Sequence, residues 1–327
     1  MKEKILVTGG AGFIGSHLCE RLLQAGHSVV AIDDLSTGRL ENIQHLRSAA
    51  GFQFVRETIL NAQVLDRLAS EVQVIVHLAA AVGVKLIVEN PVHTIHTNIM
   101  GSEAVLRTAN RYGCKVLIAS SSEVYGKGSR VPFREEDDCL IGPTSHSRWA
   151  YASSKAIDEF LGLAYHRQFG LPVVIMRFFN TIGPRQTGRY GMVAPRFVRQ
   201  ALSGEALEVY GDGKQTRCFA DVHDITWAVD RLAQCPGAVG QVFNIGGVEE
   251  VSIYQLAQRI IALTGSASTI RLVPYDEAYA PGFEDMRRRV PSIDKVTALI
   301  GYQPRCTLDD TLRKVIAYEA ERLAAAA

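Results

Sequence analysis

The sequence predicts an α/β fold: a doubly wound parallel sheet followed by a smaller C-terminal α/β domain. Two observations carry that prediction. Short β-branched runs alternate with amphipathic helical patterns through the first half of the chain. Those runs also lack polar alternation, as strands do when helices cover both faces of their sheet.

Taken in order, strands read at Lys4–Thr8, Ser28–Asp33, Gln53–Val55, Val74–Leu78, Lys115–Ser120 and Val173–Arg177. Between the first two lies Gly12–Gln24, with Phe13, Leu18, Leu22 and Leu23 on one helical face. After Asn180 the rhythm changes. Gly183-Pro184, Gly188, Gly191 and Pro195 punctuate the chain, a helix is predicted near Pro195–Leu202 and a short strand at Leu207–Tyr210. Val242–Ile245 reads as one more strand and Ser252–Leu263 as a helix. The expected division is residues 1–180, with 221–246 returning to the sheet, and a second unit over 181–327.

Size and composition agree with such a protein. The 327 residues exceed one ordinary domain, 47% are hydrophobic, 21% are charged, and the net charge is +1. That balance carries no bulk signature of nucleic-acid or anionic-membrane binding, so neither is expected as a partner. A local run, Arg287-Arg288-Arg289, is available for a small anion. Six scattered cysteines, with no CxxC pair and no histidine at zinc-finger spacing, predict reduced thiols and no metal. The N-terminus runs directly into Ile5-Leu6-Val7, and the longest apolar stretch is broken by Gln73, His77, Gly83 and Lys85. A membrane span needs about 20 apolar residues. The expectation is therefore a soluble cytoplasmic protein without a leader.

Lys4 to Leu18 reads KILVTGGAGFIGSHL, with Gly9, Gly12 and Gly15 between a strand and a helix. The first glycine permits a tight turn, the second lets backbone approach a pyrophosphate, and the third lets helix pack on strand. The helix then aims its first N–H groups at the phosphates. The second strand closes on Asp33, whose carboxylate can accept from ribose hydroxyls. Together these predict a Rossmann dinucleotide site. A carboxylate at that position repels a 2′-phosphate, so NAD is expected; Arg39 nearby leaves NADP as the alternative.

The glycine spacing, Asp33, His77-Leu78-Ala79-Ala80, Asn98, Ser121 and Tyr151-Ala-Ser-Ser-Lys155 resemble the extended short-chain dehydrogenase/reductases. The resemblance covers nearly the whole chain. It implies that Gly9, Gly12, Phe13, Ile14, Gly15, Asp33, Leu78, Ala79, Ala80, Asn98, Tyr151 and Lys155 contact NAD. It also implies that Ser121, Tyr151 and Lys155 are catalytic, and that the protein is a homodimer. The chemistry fits these residue types. A tyrosinate can take a sugar hydroxyl proton, but a free phenol with pKa about 10 supplies little of it at neutral pH. A lysine ammonium one helical turn away, with the positive nicotinamide, stabilises the phenolate. Ser121 can hydrogen-bond and orient the same hydroxyl.

Later segments resemble the sugar-nucleotide branch of that family: Arg177-Phe-Phe-Asn180, Gly183-Pro184-Arg185, Val209-Tyr-Gly-Asp-Gly-Lys-Gln-Thr-Arg217 and Arg289-Val-Pro-Ser-Ile293. By this resemblance Asn180, Arg217 and Arg289 contact the diphosphate of a UDP-sugar, where guanidinium forks match phosphate oxygens. Arg185 belongs to the same set, and Tyr210 sits near the nucleobase.

An enzyme that reduces and reoxidises NAD within one turnover can epimerise, dehydrate or decarboxylate. Glu123, in Ser120-Ser-Ser-Glu-Val-Tyr-Gly126, resembles decarboxylases and 4,6-dehydratases. Ser122 stands where the dehydratases of the thymidine-nucleotide type carry their acid. Arg148, in Arg-Trp-Ala-Tyr151, resembles UDP-glucuronate decarboxylases and suits a substrate carboxylate. Oxidation at C4 makes a uronic acid a β-keto acid, which loses CO2 because the ketone accepts the electrons. UDP-glucuronate is the favoured substrate. The alternatives are an NDP-sugar 4-epimerase, a 4,6-dehydratase, or a catalytically silent NAD-binding scaffold. Thr58 stands where many relatives place an aspartate on the adenine, and Lys85 belongs to the loop expected to border the sugar.

Overall fold

The computed structural model describes residues 2–83, 90–188, 192–278 and 286–326. Seven strands form one parallel sheet: β1 (Lys4–Thr8), β2 (Ser28–Ile32), β3 (Phe52–Val55), β4 (Val74–His77), β5 (Lys115–Ser121), β6 (Val173–Phe178) and, from far along the chain, β11 (Gln241–Ile245). Their spatial order is β11-β6-β5-β4-β1-β2-β3. The chain winds outward from β1 through β2 to β3, returns to β4 beside β1, and winds outward the other way. The sheet reverses direction between β1 and β4, and ligands of such sheets bind outside the strand ends at that point.

The side-chain period of two assigns each strand to two cores. Ile5, Val7, Val29, Ala31, Val74, Val76, Val174 and Phe243 enter one core, with Leu18 and Leu22 of α1 (Phe13–Gln24). Leu6, Val30, Ile32, Ile75, Val116 and Ile175 enter the other, with Leu65 and Leu68 of α2 (Ala62–Ala69) and Val105 and Leu106 of α3 (Pro91–Tyr112). α4 (Ala150–Phe169) packs beside α3 on that second face. Burying each aliphatic side chain contributes about 1.5–3 kcal/mol, which accounts for strands that are apolar on both sides.

The remaining elements are α5 (Val193–Leu202), α6 (Val222–Gln234), α7 (Ile253–Thr264), α8 (Asp294–Ile300) and α9 (Leu308–Ala326). α6 supplies Ile225, Val229 and Leu232 to the first core, and β11 pairs with β6 along the sheet edge. A third core gathers Phe197, Val198, Leu256, Ile260, Leu312 and Val315 from α5, α7 and α9. Short strands surround it: β7 (Thr181–Ile182) with β10 (Ala220–Asp221), β9 (Thr216–Cys218) between β12 (Glu250–Ser252) and β14 (Arg288–Arg289), and β8 (Leu207–Tyr210) with β13 (Ile270–Val273).

Several boundaries differ slightly from expectation. β2 stops at Ile32, which leaves Asp33 just beyond the strand and free to turn. α5 begins at Val193, and Pro195 occupies its first turn, where a missing N–H costs no helical hydrogen bond. Among the described residues no helix is long and apolar enough to cross a membrane.

Candidate active site

A cavity of about 560 Å³ lies across the carboxyl ends of the strands, between the loops that follow β1 and β4 and the elements around the third core. Its walls divide into a dinucleotide end, a tyrosine–lysine centre and an arginine-rich end.

At the dinucleotide end Gly9 adopts a left-handed φ of 70°, and a Cβ there would lie 2.9 Å from the Ala79 nitrogen. A Cβ on Gly15 would lie 2.1 Å from the Gly9 carbonyl oxygen, so helix and turn approach as only glycine allows. Gly12 caps α1 without a side chain, and no acidic residue occupies the helix's first turn. The first N–H groups of α1 are thus left to an anion. Phe13, Ile14, Leu78, Ala79 and Ala80 line the same wall. Asp33 lines it too, its two oxygens accepting from the Leu35 and Ala11 N–H groups at 2.8 and 3.0 Å. Burial raises its pKa against those hydrogen bonds. A glycine cradle, an open helix N-terminus and a carboxylate past β2 fit a dinucleotide with free ribose hydroxyls.

At the centre, Ser121 ends β5, Tyr151 stands in the first turn of α4, and Lys155 follows one turn on. All three line the cavity. Burial raises the Tyr151 pKa above the ordinary phenol value; the Lys155 charge and a hydrogen bond with Ser121 pull the other way. Lys155 is held by Asp158, Nζ to Oδ2 at 2.9 Å. Burial disfavours the ammonium, yet Asp158 and Tyr151 together raise its pKa.

At the arginine-rich end Glu123 bridges two guanidiniums: Arg148 Nη2 at 2.5 Å and Arg289 Nη1 at 2.8 Å. Burial pushes the Glu123 pKa up, but Arg148 and Arg289 overcome it and hold the carboxyl down to about 2. Glu123 is therefore held as an anion between the two guanidiniums. Arg148, only 2% exposed, also lies over the Trp149 ring at 5.6 Å. Arg217 donates through Nη1 to the carbonyls of Thr216 and Met286, both at 2.8 Å. Asn180 and Tyr210 complete this wall.

The family model for the NAD-dependent epimerase/dehydratase family matches residues 5–246. The chain belongs to that family. Like this geometry, the family's name makes NAD the cofactor. Within the family, the chain is 42% identical over 323 residues to a UDP-N-acetyl-alpha-D-glucosaminuronate decarboxylase of Bacillus cytotoxicus, covering 98% of this chain and 99% of that protein. It is 36% identical to UDP-glucuronic acid decarboxylase 1 of Danio rerio, covering 98% of this chain and 74% of that one. Among solved structures, UDP-glucuronic acid 4-epimerase of Bacillus cereus, in complex with UDP-glucuronic acid and NAD, superposes with a TM-score of 0.87 at 34% identity. That match covers 98% of this chain and 99% of the epimerase.

Two residues singled out by the family resemblance stand away from the cavity wall. Asn98 is buried behind it, accepting from the Ala81 N–H at 2.8 Å and donating to Ser154 Oγ at 3.1 Å. It holds the loop after β4 in place. Arg185 takes a left-handed φ of 68° that turns its side chain onto α1, where it pairs with Glu20 at 2.6 Å. The arginine run divides: Arg287 pairs with Asp212 and Arg288 with Glu250 at the surface, while Arg289 enters the cavity and reaches Glu123. Lys85 lies outside the described residues. Sequence reading missed Asp158, although its place three residues after Lys155 was a usable signal. It also missed Arg196, which lines the cavity with its guanidinium 4.2 Å from the Tyr210 ring centre. Nothing local to Arg196 announces that stacking.

Proposed function

We propose that this protein decarboxylates a UDP-linked glucuronate through a transient 4-keto sugar, with UDP-glucuronate the favoured substrate and no net consumption of NAD. The observation that carries the reading is the buried Arg148–Glu123–Arg289 group beside Ser121 and Tyr151. Two guanidiniums against one carboxylate leave a positive excess in a water-poor wall, which suits an anionic substrate. The decarboxylases named above both act on uronates by their names.

In this reading residues 1–180, with 221–246, hold the cofactor, and residues 181–327 hold the nucleotide sugar. Bound against the glycine cradle, NAD supplies a hydride acceptor for C4 of the sugar and later the hydride that restores it. The chain's own residues handle the proton. Ser121 orients the C4 hydroxyl, and Tyr151, as phenolate, accepts its proton while the Lys155 charge stabilises that form. The C4 ketone then stands β to the carboxylate and takes up the electron pair as CO2 leaves. A proton from solvent adds at C5 of the resulting enolate and restores the C4 carbonyl for the returning hydride. Tyr151 finally returns its proton to the C4 oxygen. Asn180, Arg217 and Arg289 border the diphosphate and Tyr210 the nucleobase.

The test is mass spectrometry of UDP-glucuronate, UDP-N-acetylglucosaminuronate and neutral UDP-, GDP- and dTDP-hexoses incubated with enzyme and NAD. Loss of CO2 from a uronate is expected. A second reading, a 4-epimerase, draws on the stacking of Arg148 over Trp149, with Glu123 as its structural partner. Fast interconversion of UDP-galactose and UDP-glucose, with no CO2 from either uronate, would establish it instead.

Self-association fits α3 and α4, which pack side by side and expose Val92, Ile95, Met100, Ile157 and, 71% exposed, Phe160. Apolar side chains so grouped on two adjacent helices suit a second copy of the chain. Light scattering of the protein and of Phe160→Glu tests this, the variant being expected as monomer.

A further inference from the structure

We propose that Asp158 is a positioning residue of this site: its buried carboxylate, 2.9 Å from Lys155 Nζ, fixes that ammonium and offsets part of its charge, so that Tyr151 can return the proton it takes. The inference rests on the reading of Tyr151 as the group that both accepts and gives back the C4 proton.

Tyr151, Lys155 and Asp158 fall at i, i+4 and i+7 of α4, on one helical face. Asp158 is fully buried, and its second oxygen, Oδ1, has no hydrogen-bond partner. A buried carboxylate with an idle oxygen is a poor stabiliser, because desolvation offsets much of the attraction in a buried pair. The order lysine-then-acid along a helix is also the weaker one for helix stability. The pair is better explained by what it does to its neighbours.

The charged groups around Tyr151 are few. From its own helix come Lys155 and Asp158; Glu123 follows β5, and Arg148 precedes α4. Lys155 in turn faces Asp158, Glu159 and, from β4, His77. Glu159 is engaged elsewhere, bound twice by Arg177 at 2.9 and 2.7 Å. His77 is held neutral by burial, its pKa lowered to about 3. Asp158 is thus the direct counter-charge of Lys155. A lone ammonium would favour the phenolate strongly, giving a good acceptor and a poor donor. A one-way dehydrogenase could use that imbalance. A cycle that oxidises and rereduces the same carbon needs both proton transfers from one hydroxyl.

The test is the ionisation of Tyr151, followed by tyrosinate ultraviolet absorbance in NAD-bound enzyme without sugar, each protein compared with its own Tyr151→Phe derivative. Removing a negative charge favours the phenolate, so Asp158→Asn should move the midpoint down, by about one pH unit or more. Asp158→Glu, which keeps the charge, should leave the midpoint near that of the unmodified protein. Asp158→Ser removes the same charge in a smaller side chain and serves if the asparagine variant does not fold. With sugar present, both neutral variants should release 4-keto product and accumulate NADH. A midpoint that stays or rises in both neutral variants overturns the proposal. A Tyr151→Phe enzyme that remains active would instead overturn the reading beneath it.

Discussion

Adding a single methyl group to the glycine turn separates its two duties. At Gly15 a Cβ would lie 2.1 Å from the Gly9 carbonyl oxygen and 2.9 Å from Gly10 Cα. Both are backbone atoms of the turn itself, so helix and strand must part. Overpacking of this kind costs about 1–3 kcal/mol or more, which in a chain of this size lowers the melting temperature by a few degrees per kcal/mol. At Gly12 the nearest atom to a new Cβ is again the Gly9 oxygen, but at 3.1 Å, and φ is −73°, which alanine adopts freely. The fold should bear that substitution. The methyl, however, stands at the mouth of α1, where a pyrophosphate must approach backbone. Gly12→Ala is therefore expected to melt within about 2 °C of the unmodified protein. Its NAD affinity should fall tenfold or more, since about 1.4 kcal/mol of lost phosphate contact suffices. Gly15→Ala should lose both stability and NAD binding. Differential scanning calorimetry and NAD titration read the two quantities separately. If Gly12→Ala bound NAD as tightly as the unmodified protein, the cofactor would not lie on the start of α1, and the orientation assigned to the whole cavity would be wrong.

Two further outcomes follow from the centre and the arginine-rich end. Tyr151→Phe removes the proton-transfer group and little else, so turnover should fall by roughly 10²–10⁴-fold while NAD affinity stays within a few-fold; steady-state kinetics with NAD titration checks it, and near-normal turnover refutes the role. Arg148→Ala should weaken binding of UDP-glucuronate far more than that of a neutral UDP-hexose, because only the uronate leaves a carboxylate unpaired; equal losses in isothermal titration would remove Arg148 from the carboxylate.

What the sequence disclosed and what it withheld have physical causes. The sheet was readable because its inner strands bury both faces, which writes nearly unbroken apolar runs into the chain. The glycine turn was readable because its constraint is local: Gly9 takes a left-handed φ, and a Cβ on Gly15 would strike the Gly9 carbonyl oxygen. Tyr151 and Lys155 were readable because one helix fixes their spacing. The bridge from Glu123 to Arg148 and Arg289 joins three elements far apart in the chain, and no local pattern encodes such a contact. Arg185 misled because its motif is local while its direction is set by a left-handed backbone turn. Asp158 went unread for a different reason. The i,i+3 spacing was visible, but its burial, which gives the pair its meaning, comes from packing.

The three-residue bridge also bears on why one scaffold serves both decarboxylases and epimerases of uronates. Losing CO2 moves negative charge from the carboxylate to the C4 oxygen. An arginine that grips the carboxylate strongly stabilises the starting state more than the transition state, and so slows the reaction. An epimerase acting on the same sugar needs that grip, since it must keep the carboxyl group. Here Glu123 already engages Arg148 and Arg289, at 2.5 and 2.8 Å, and is held anionic with a pKa of about 2. On the proposed reading, Arg148 meets the substrate carboxylate with much of its pull spent on Glu123, enough to admit a uronate but not to clamp it, while Arg289 stays with the diphosphate. Glu123→Gln tests this, because it preserves shape while releasing both guanidiniums. The variant should bind UDP-glucuronate at least several-fold tighter and release CO2 more slowly, since the ground state gains what the transition state does not. Its 4-keto intermediate should persist, visible as NADH absorbance that rises on adding substrate and decays slowly. If Glu123→Gln bound the uronate more weakly with unchanged decarboxylation, the glutamate would be serving only to hold the arginines in place, and the distinction between gripping and releasing the carboxylate would have to lie elsewhere in the cavity.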